Sequence, residues 1–174
     1  MKRKKFVFLA AALLALSGCA GTPKPLAQPQ VRLPLQSDLR AAFEVGVVSA
    51  SESSPPVGWA TGIWSQDAKS MLTDILKASG FLAPQNARYD VNISLTTHHC
   101  PLAGFDMTCT ATVHYQVITV ADQKVVMDET IDSSHTAEIG EALSGVVRER
   151  LAVRGATWDN YSLFLDKLAV KPKL

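Results

Sequence analysis

What this sequence lacks narrows the reading quickly. No apolar run reaches the ~20 residues that a bilayer-spanning helix requires. The longest, Phe6–Leu16, has the length of a secretory h-region. No Gly-x-Ser-x-Gly elbow, His-Glu-x-x-His helix or glycine-rich phosphate loop occurs, so hydrolase, zincin and nucleotide-binding readings are left without a motif. A basic excess is missing too. The chain has 17 Lys+Arg against 16 Asp+Glu, and Lys2, Arg3, Lys4 and Lys5 crowd the N-terminus. The remainder is slightly acidic and offers no broad field for nucleic acid. Cysteine is scarce, three in 174 residues, which excludes a disulfide-dense scaffold.

The basic Lys2–Lys5 segment leads into Phe6–Leu16, and Leu16-Ser17-Gly18-Cys19 follows. A charged n-region before a short apolar core is a signal peptide rather than a membrane span. Its end resembles a bacterial lipobox, in which the signal peptidase cuts before a lipid-modified cysteine. That resemblance implies that residues 1–18 are removed and that Cys19 carries diacylglycerol. With more than one acyl chain, Cys19 suffices for stable anchoring. Ala20 rather than Asp after the cysteine implies the outer membrane, facing the periplasm. The bland alternative is an ordinary signal peptide with a coincidental cysteine.

Residues 19–41 hold Pro23, Pro25, Pro29 and Pro34. Such a composition favours extended polyproline-type chain and reads as a tether. A single domain over residues 42–170 and a short tail at residues 171–174 complete the layout. Phe43–Ser49 reads as a first strand. Ser65 then caps a helix to about Ser79, with Ala68, Met71, Leu72, Ile75 and Leu76 on one stripe and Gly80 at C′. Tyr89–Thr97 and Thr110–Val120 alternate apolar and polar residues and read as strands with one wet face. Val125–Ser133 alternates less well, carries Asp128, Glu129 and Asp132, and is expected at an edge. Ser133, Ser134 or Thr136 is expected to cap a last helix, whose stripe runs through Ile139, Ala142, Leu143, Val146, Val147 and Leu151. Trp158, Tyr161, Leu165 and Leu168 continue it beyond Gly155, where the helix is either continuous or bent.

The order β-α-β-β-β-α predicts an α+β two-layer sandwich: a mostly antiparallel four-stranded sheet with two helices on one face. This order, the lipobox, Met71–Gly80 and Tyr89–Leu95 together resemble small envelope lipoproteins. Those are the YajG-like group, lipoproteins auxiliary to ABC transporters, and the lipoprotein partner of the lipopolysaccharide-assembly translocon. The resemblance implies an accessory envelope role and supplies no catalytic residue.

Cys100 and Cys109 are an even pair in a compartment that permits disulfides, and a bond between them would pin a hairpin mouth. Free thiols and a metal site using His98, His99 or His114 are the rivals. Cys-x8-Cys is not a zinc spacing, and strand alternation sends His98 and His99 to opposite faces. Asp132, Ser134 and His135 contain the residue types of a hydrolase triad, but neighbours on a strand cannot converge. The Ser51–Trp64 segment is long for a loop, and Trp59 and Trp64 within it are candidate partner anchors. The alternative for each is to seal one end of the core. The face with Thr110, Thr112, His114 and Gln116 reads as solvated surface.

The expectation is a lipid-anchored, non-catalytic accessory of the cell envelope. It would be attached to the membrane through Cys19 and would bind a protein or lipid-transport complex. No cofactor, metal or nucleic acid enters that reading. A periplasmic lipid or small-ligand binder is the alternative, and a hydrolase a more distant one.

Overall fold

The computed structural model describes residues 37–50 and 65–170. Cys19, the tether before Ser37, the segment holding Trp59 and Trp64, and the tail all lie outside them. The elements are β1 (Phe43–Ala50), α1 (Ser65–Ala78), β2 (Tyr89–His99), β3 (Met107–Thr119), β4 (Val125–Ala137) and α2 (Gly145–Val170), with a short 3-10 turn at Ser37–Leu39 before β1. The sheet order is β1-β2-β3-β4. β1 lies parallel to β2, whereas β2–β3 and β3–β4 are antiparallel, so the sheet is mixed. Both helices cover one face, giving the two-layer α+β arrangement, and β4 is an edge strand as its acidic residues suggest.

α1 ends as its sequence dictates. Gly80 adopts φ 75°; the Phe81 N–H reaches back to the Leu76 carbonyl at 2.9 Å and the Gly80 N–H to Lys77 at 3.1 Å. This is a Schellman stop, with Phe81 folded onto the core beside Leu76. The main core is filled from both layers. Tyr115 stacks on Phe164 at 4.2 Å, and Phe43 on Tyr89 at 5.2 Å. Leu39, on the tether side of residue 42, is also buried in this core.

The last third departs from expectation. Ser133, Ser134 and Thr136 do not cap a helix, because β4 continues to Ala137. Their polar alternation has a period of two, and it is ladder chemistry. Asp132 accepts a hydrogen bond from Thr112 (2.6 Å), and Thr136 pairs with Thr108 (2.8 Å) across the open face. α2 begins at Gly145, with the Ser144 carbonyl accepting from the Arg148 N–H at 3.0 Å. Ile139, Ala142 and Leu143 therefore belong to a connection and not to a helical stripe. From Gly145, α2 runs uninterrupted through Gly155 to Val170. Gly155 is a contact position, since a Cβ there would drive into the His135 ring.

Candidate functional site

The two ends of the domain differ in chemistry. The chain enters at one pole, where Ala41 bonds to Gly80 and Arg88 bonds to both Ala42 and Val120. The opposite pole gathers the β2–β3 connection (residues 100–106), the β4–α2 connection (residues 138–144) and the first turn of α2. β3 alone separates the poles by roughly 40 Å at ~3.3 Å per residue.

The far pole is built around a disulfide and an arginine. Cys100 and Cys109 are joined, with their Cα atoms 4.4 Å apart. Both are buried in a satellite cluster with Met107, Ala137, Ala152 and Val153. Arg148, only 6% exposed, donates from Nη1 to the carbonyls of Ala142 (2.6 Å) and Leu143 (2.9 Å), and from Nη2 to that of Gly104 (3.2 Å). One planar guanidinium thus ties the two connections together and satisfies three carbonyls. Asp106 adds a second tie by accepting from the Ile139 N–H at 3.0 Å.

This clamp holds outward the side chains that a folding chain would rather bury. Leu102, Phe105 and Leu143 are 80%, 81% and 90% exposed, and Ile139 and Val147 are 43% and 37% exposed. The Arg148 guanidinium and the Asp106–Ile139 bond bring together the two connections that carry Leu102, Phe105, Ile139 and Leu143. Single exposed hydrophobics elsewhere, such as Val47 or Val170, are ordinary. Five exposed apolar side chains on and beside two connections tied by a buried arginine and next to a disulfide are a candidate interaction surface.

The side of β4 beneath α2 carries a further cluster of polar groups. His135 Nδ1 pairs with Asp159 Oδ2 at 2.9 Å. The Ser133 hydroxyl donates to the Ala156 carbonyl (2.7 Å) and accepts from the Asn160 amide (3.0 Å). Ser133 therefore directs its proton at a backbone carbonyl, while the far edge of the His135 ring rests on Gly155. These atoms form a brace under α2 and not a relay from nucleophile to base. Asn160 completes the brace: it accepts from the Tyr115 hydroxyl at 2.7 Å and donates to Ile131 (2.8 Å) and Ala111 (3.1 Å). Burial raises the pKa of both Tyr115 and Tyr161.

The remaining candidates are dispersed. Asp132 and Ser134 lie on the open face and His135 on the helix face, as alternation requires. His98 is in register with Ala111 and His99 with Thr110. His114 bonds Asp128 at 2.7 Å on the open face, and that bond holds the Asp128 carboxyl below the usual range. Tyr161 is fully buried and Trp158 partly so.

The apolar pole is absent from the sequence-level candidates. Leu102 and Phe105 sit inside the Cys100–Cys109 loop, and an apolar pair in a stapled loop is a legible signal. Leu143 and Ile139 were concealed by a helical phase that fits them by coincidence.

No family model matches the chain, and no curated protein matches it. Several solved structures share its fold. A DUF330 protein from Xanthomonas campestris superposes with TM-score 0.56 at 15% identity, covering 85% of this chain and 90% of that one. A hypothetical protein from Chlamydia trachomatis gives 0.54 at 10% identity, over 75% of this chain and 96% of its own. A protein from Caulobacter crescentus provisionally classed as a lipoprotein gives 0.52 at 12%, over 74% and 89%. At these identities the likeness is one of fold.

Proposed function

We propose that the chain is a lipid-anchored, non-catalytic accessory protein of the bacterial cell envelope, held at the outer membrane through Cys19 and facing the periplasm. In this reading it docks a protein complex through its apolar pole. The anchoring half rests on the leader and lipobox, and it fits the absence of any membrane-length apolar helix among the described residues. The single observation that carries the docking half is the exposure of Leu102, Phe105 and Leu143 on connections made rigid by Arg148 and the disulfide. A small-ligand binder would hold space between helices and sheet, whereas Tyr115, Tyr161 and Phe164 pack into that layer. Trp59 and Trp64, on the segment between β1 and α1, are proposed as a second anchor; β1 ends at Ala50, level with Val113 midway along β3.

The test uses the full chain in envelopes. Cys19→Ala should abolish acyl labelling; acylation that survives this change overturns the anchoring half. Phe105→Asp should remove the chain's crosslinked species while leaving its melting temperature within a degree or two, as befits an exposed site. Unchanged crosslinking would remove the apolar pole from the function.

A further inference from the structure

The apolar pole has a property that selects among possible occupants. Leu102, Phe105 and Leu143 leave most of their apolar surface to solvent at this one pole, a concentration that marks interaction sites on soluble chains. The rim of that pole carries both signs. Glu138, Glu141 and Asp106 lie exposed in the two connections beside Ile139 and Phe105. Arg150 and Arg154 lie exposed on α2, three and seven residues beyond Val147 and so on its side of the helix. A surface with an apolar centre and a rim of both signs is complementary to itself under a two-fold rotation, because each copy's acidic rim can meet the other's arginines. A rim of one sign would repel a second copy.

We propose that this pole is an isologous interface between two copies of the chain, centred on Phe105 and Leu143. The proposal rests on the docking role argued above and names the partner. A bilayer is a poorer occupant. The acidic residues oppose anionic headgroups, and the chain enters the domain, on the way from Cys19, at the other pole.

The leaderless full chain carrying Cys19→Ser should sediment as a dimer, and Leu143→Asp should raise the dimer Kd at least tenfold with an unchanged circular dichroism melt. Arg150→Glu should weaken the dimer about tenfold, and Glu138→Lys in the same chain should restore it, which no unrelated partner would produce. In the oxidising periplasm, Leu143→Cys should give a disulfide-linked species of twice the monomer mass, whereas the equally exposed Val170→Cys should not. A monomer at high micromolar concentration, failed charge-swap rescue, or equal crosslinking at both cysteines would overturn the proposal. A Leu143→Cys adduct of another mass would also overturn it while leaving the docking role standing. Binding of the leaderless chain to vesicles of phosphatidylethanolamine and phosphatidylglycerol, lost with Leu143→Asp, would overturn both the dimer and protein docking.

Discussion

Individual residues in this domain are held in place by a few close approaches, and Gly155 is the sharpest. The His135 imidazole lies where a Cβ would stand, and its Nδ1 is tethered to Asp159. Gly155→Ala gains helix propensity of about 1 kcal/mol, yet it must displace a ring pinned from its other edge. Overpacking of that kind costs about 1–3 kcal/mol, so the variant should be less stable by denaturant titration. His135→Ala should open the space and return most of the loss, leaving the double variant above Gly155→Ala alone. A second residue-scale effect concerns charge. Glu44 and Asp90 are paired in register on β1 and β2. The hydrogen bond and repulsion from Asp90 raise the Glu44 pKa, with Lys69 opposing. The folded chain then holds that proton more tightly than the unfolded chain does. The contribution is greatest below the ordinary carboxylate range and is lost as pH rises through the raised value. Glu44→Gln should therefore be more stable than wild type at neutral pH, with the advantage vanishing in acid. An advantage independent of pH would place its origin elsewhere.

At the scale of elements, legibility followed periodicity. α1 could be read to its last residues because one stripe and one C′ glycine agree. β2 and β3 could be read from alternation, although β2 extends to His99 and β3 starts at Met107. β4 and α2 were misdivided because Ser133, Ser134 and Thr136 suit both a cap and an alternating edge strand. Long-range partners settle such a case, here Thr108, Thr112 and Asn160. The buried polar stripe of α2, with Arg148, Glu149, Thr157 and Asn160, also defeats any pattern that seeks only apolar residues. The connection between Cys100 and Cys109 is the element with the most direct test. Closing a loop of about ten residues is worth about 2.7 kcal/mol in the chain-entropy account. Replacing both cysteines by serine should cost about that much and should loosen the 100–106 connection despite Arg148. Intact mass without reductant should show no alkylated thiol at either position in the mature protein; two free thiols there would remove the staple from the apolar pole.

For the whole molecule, the question is where the independently stable unit begins. Composition places the change at residue 42, after the last proline-rich stretch. The core places it earlier, because Leu39 is 4% exposed and packs with Phe43, Leu76 and Phe81 in the main cluster. The carbonyl of Gly80 also accepts from the Ala41 N–H at 2.9 Å, which ties the incoming chain to the end of α1. Burying a leucine contributes about 1.5–3 kcal/mol, a substantial share of the 5–15 kcal/mol that stabilises a domain. A chain beginning at Ser37 should therefore melt at the temperature of one beginning at Ala20. A chain beginning at Ala42 should melt lower by roughly 5–15 °C, at about 4 °C or somewhat more per kcal/mol. Leu39→Ala in the longer chain should reproduce most of that drop, separating the leucine from the mere length of the segment. Equal melting of the Ser37 and Ala42 chains would return the boundary to residue 42. The expected result makes the entry pole a packed seat, so that tension on the chain preceding Ser37 is delivered to the core through Leu39 and the end of α1.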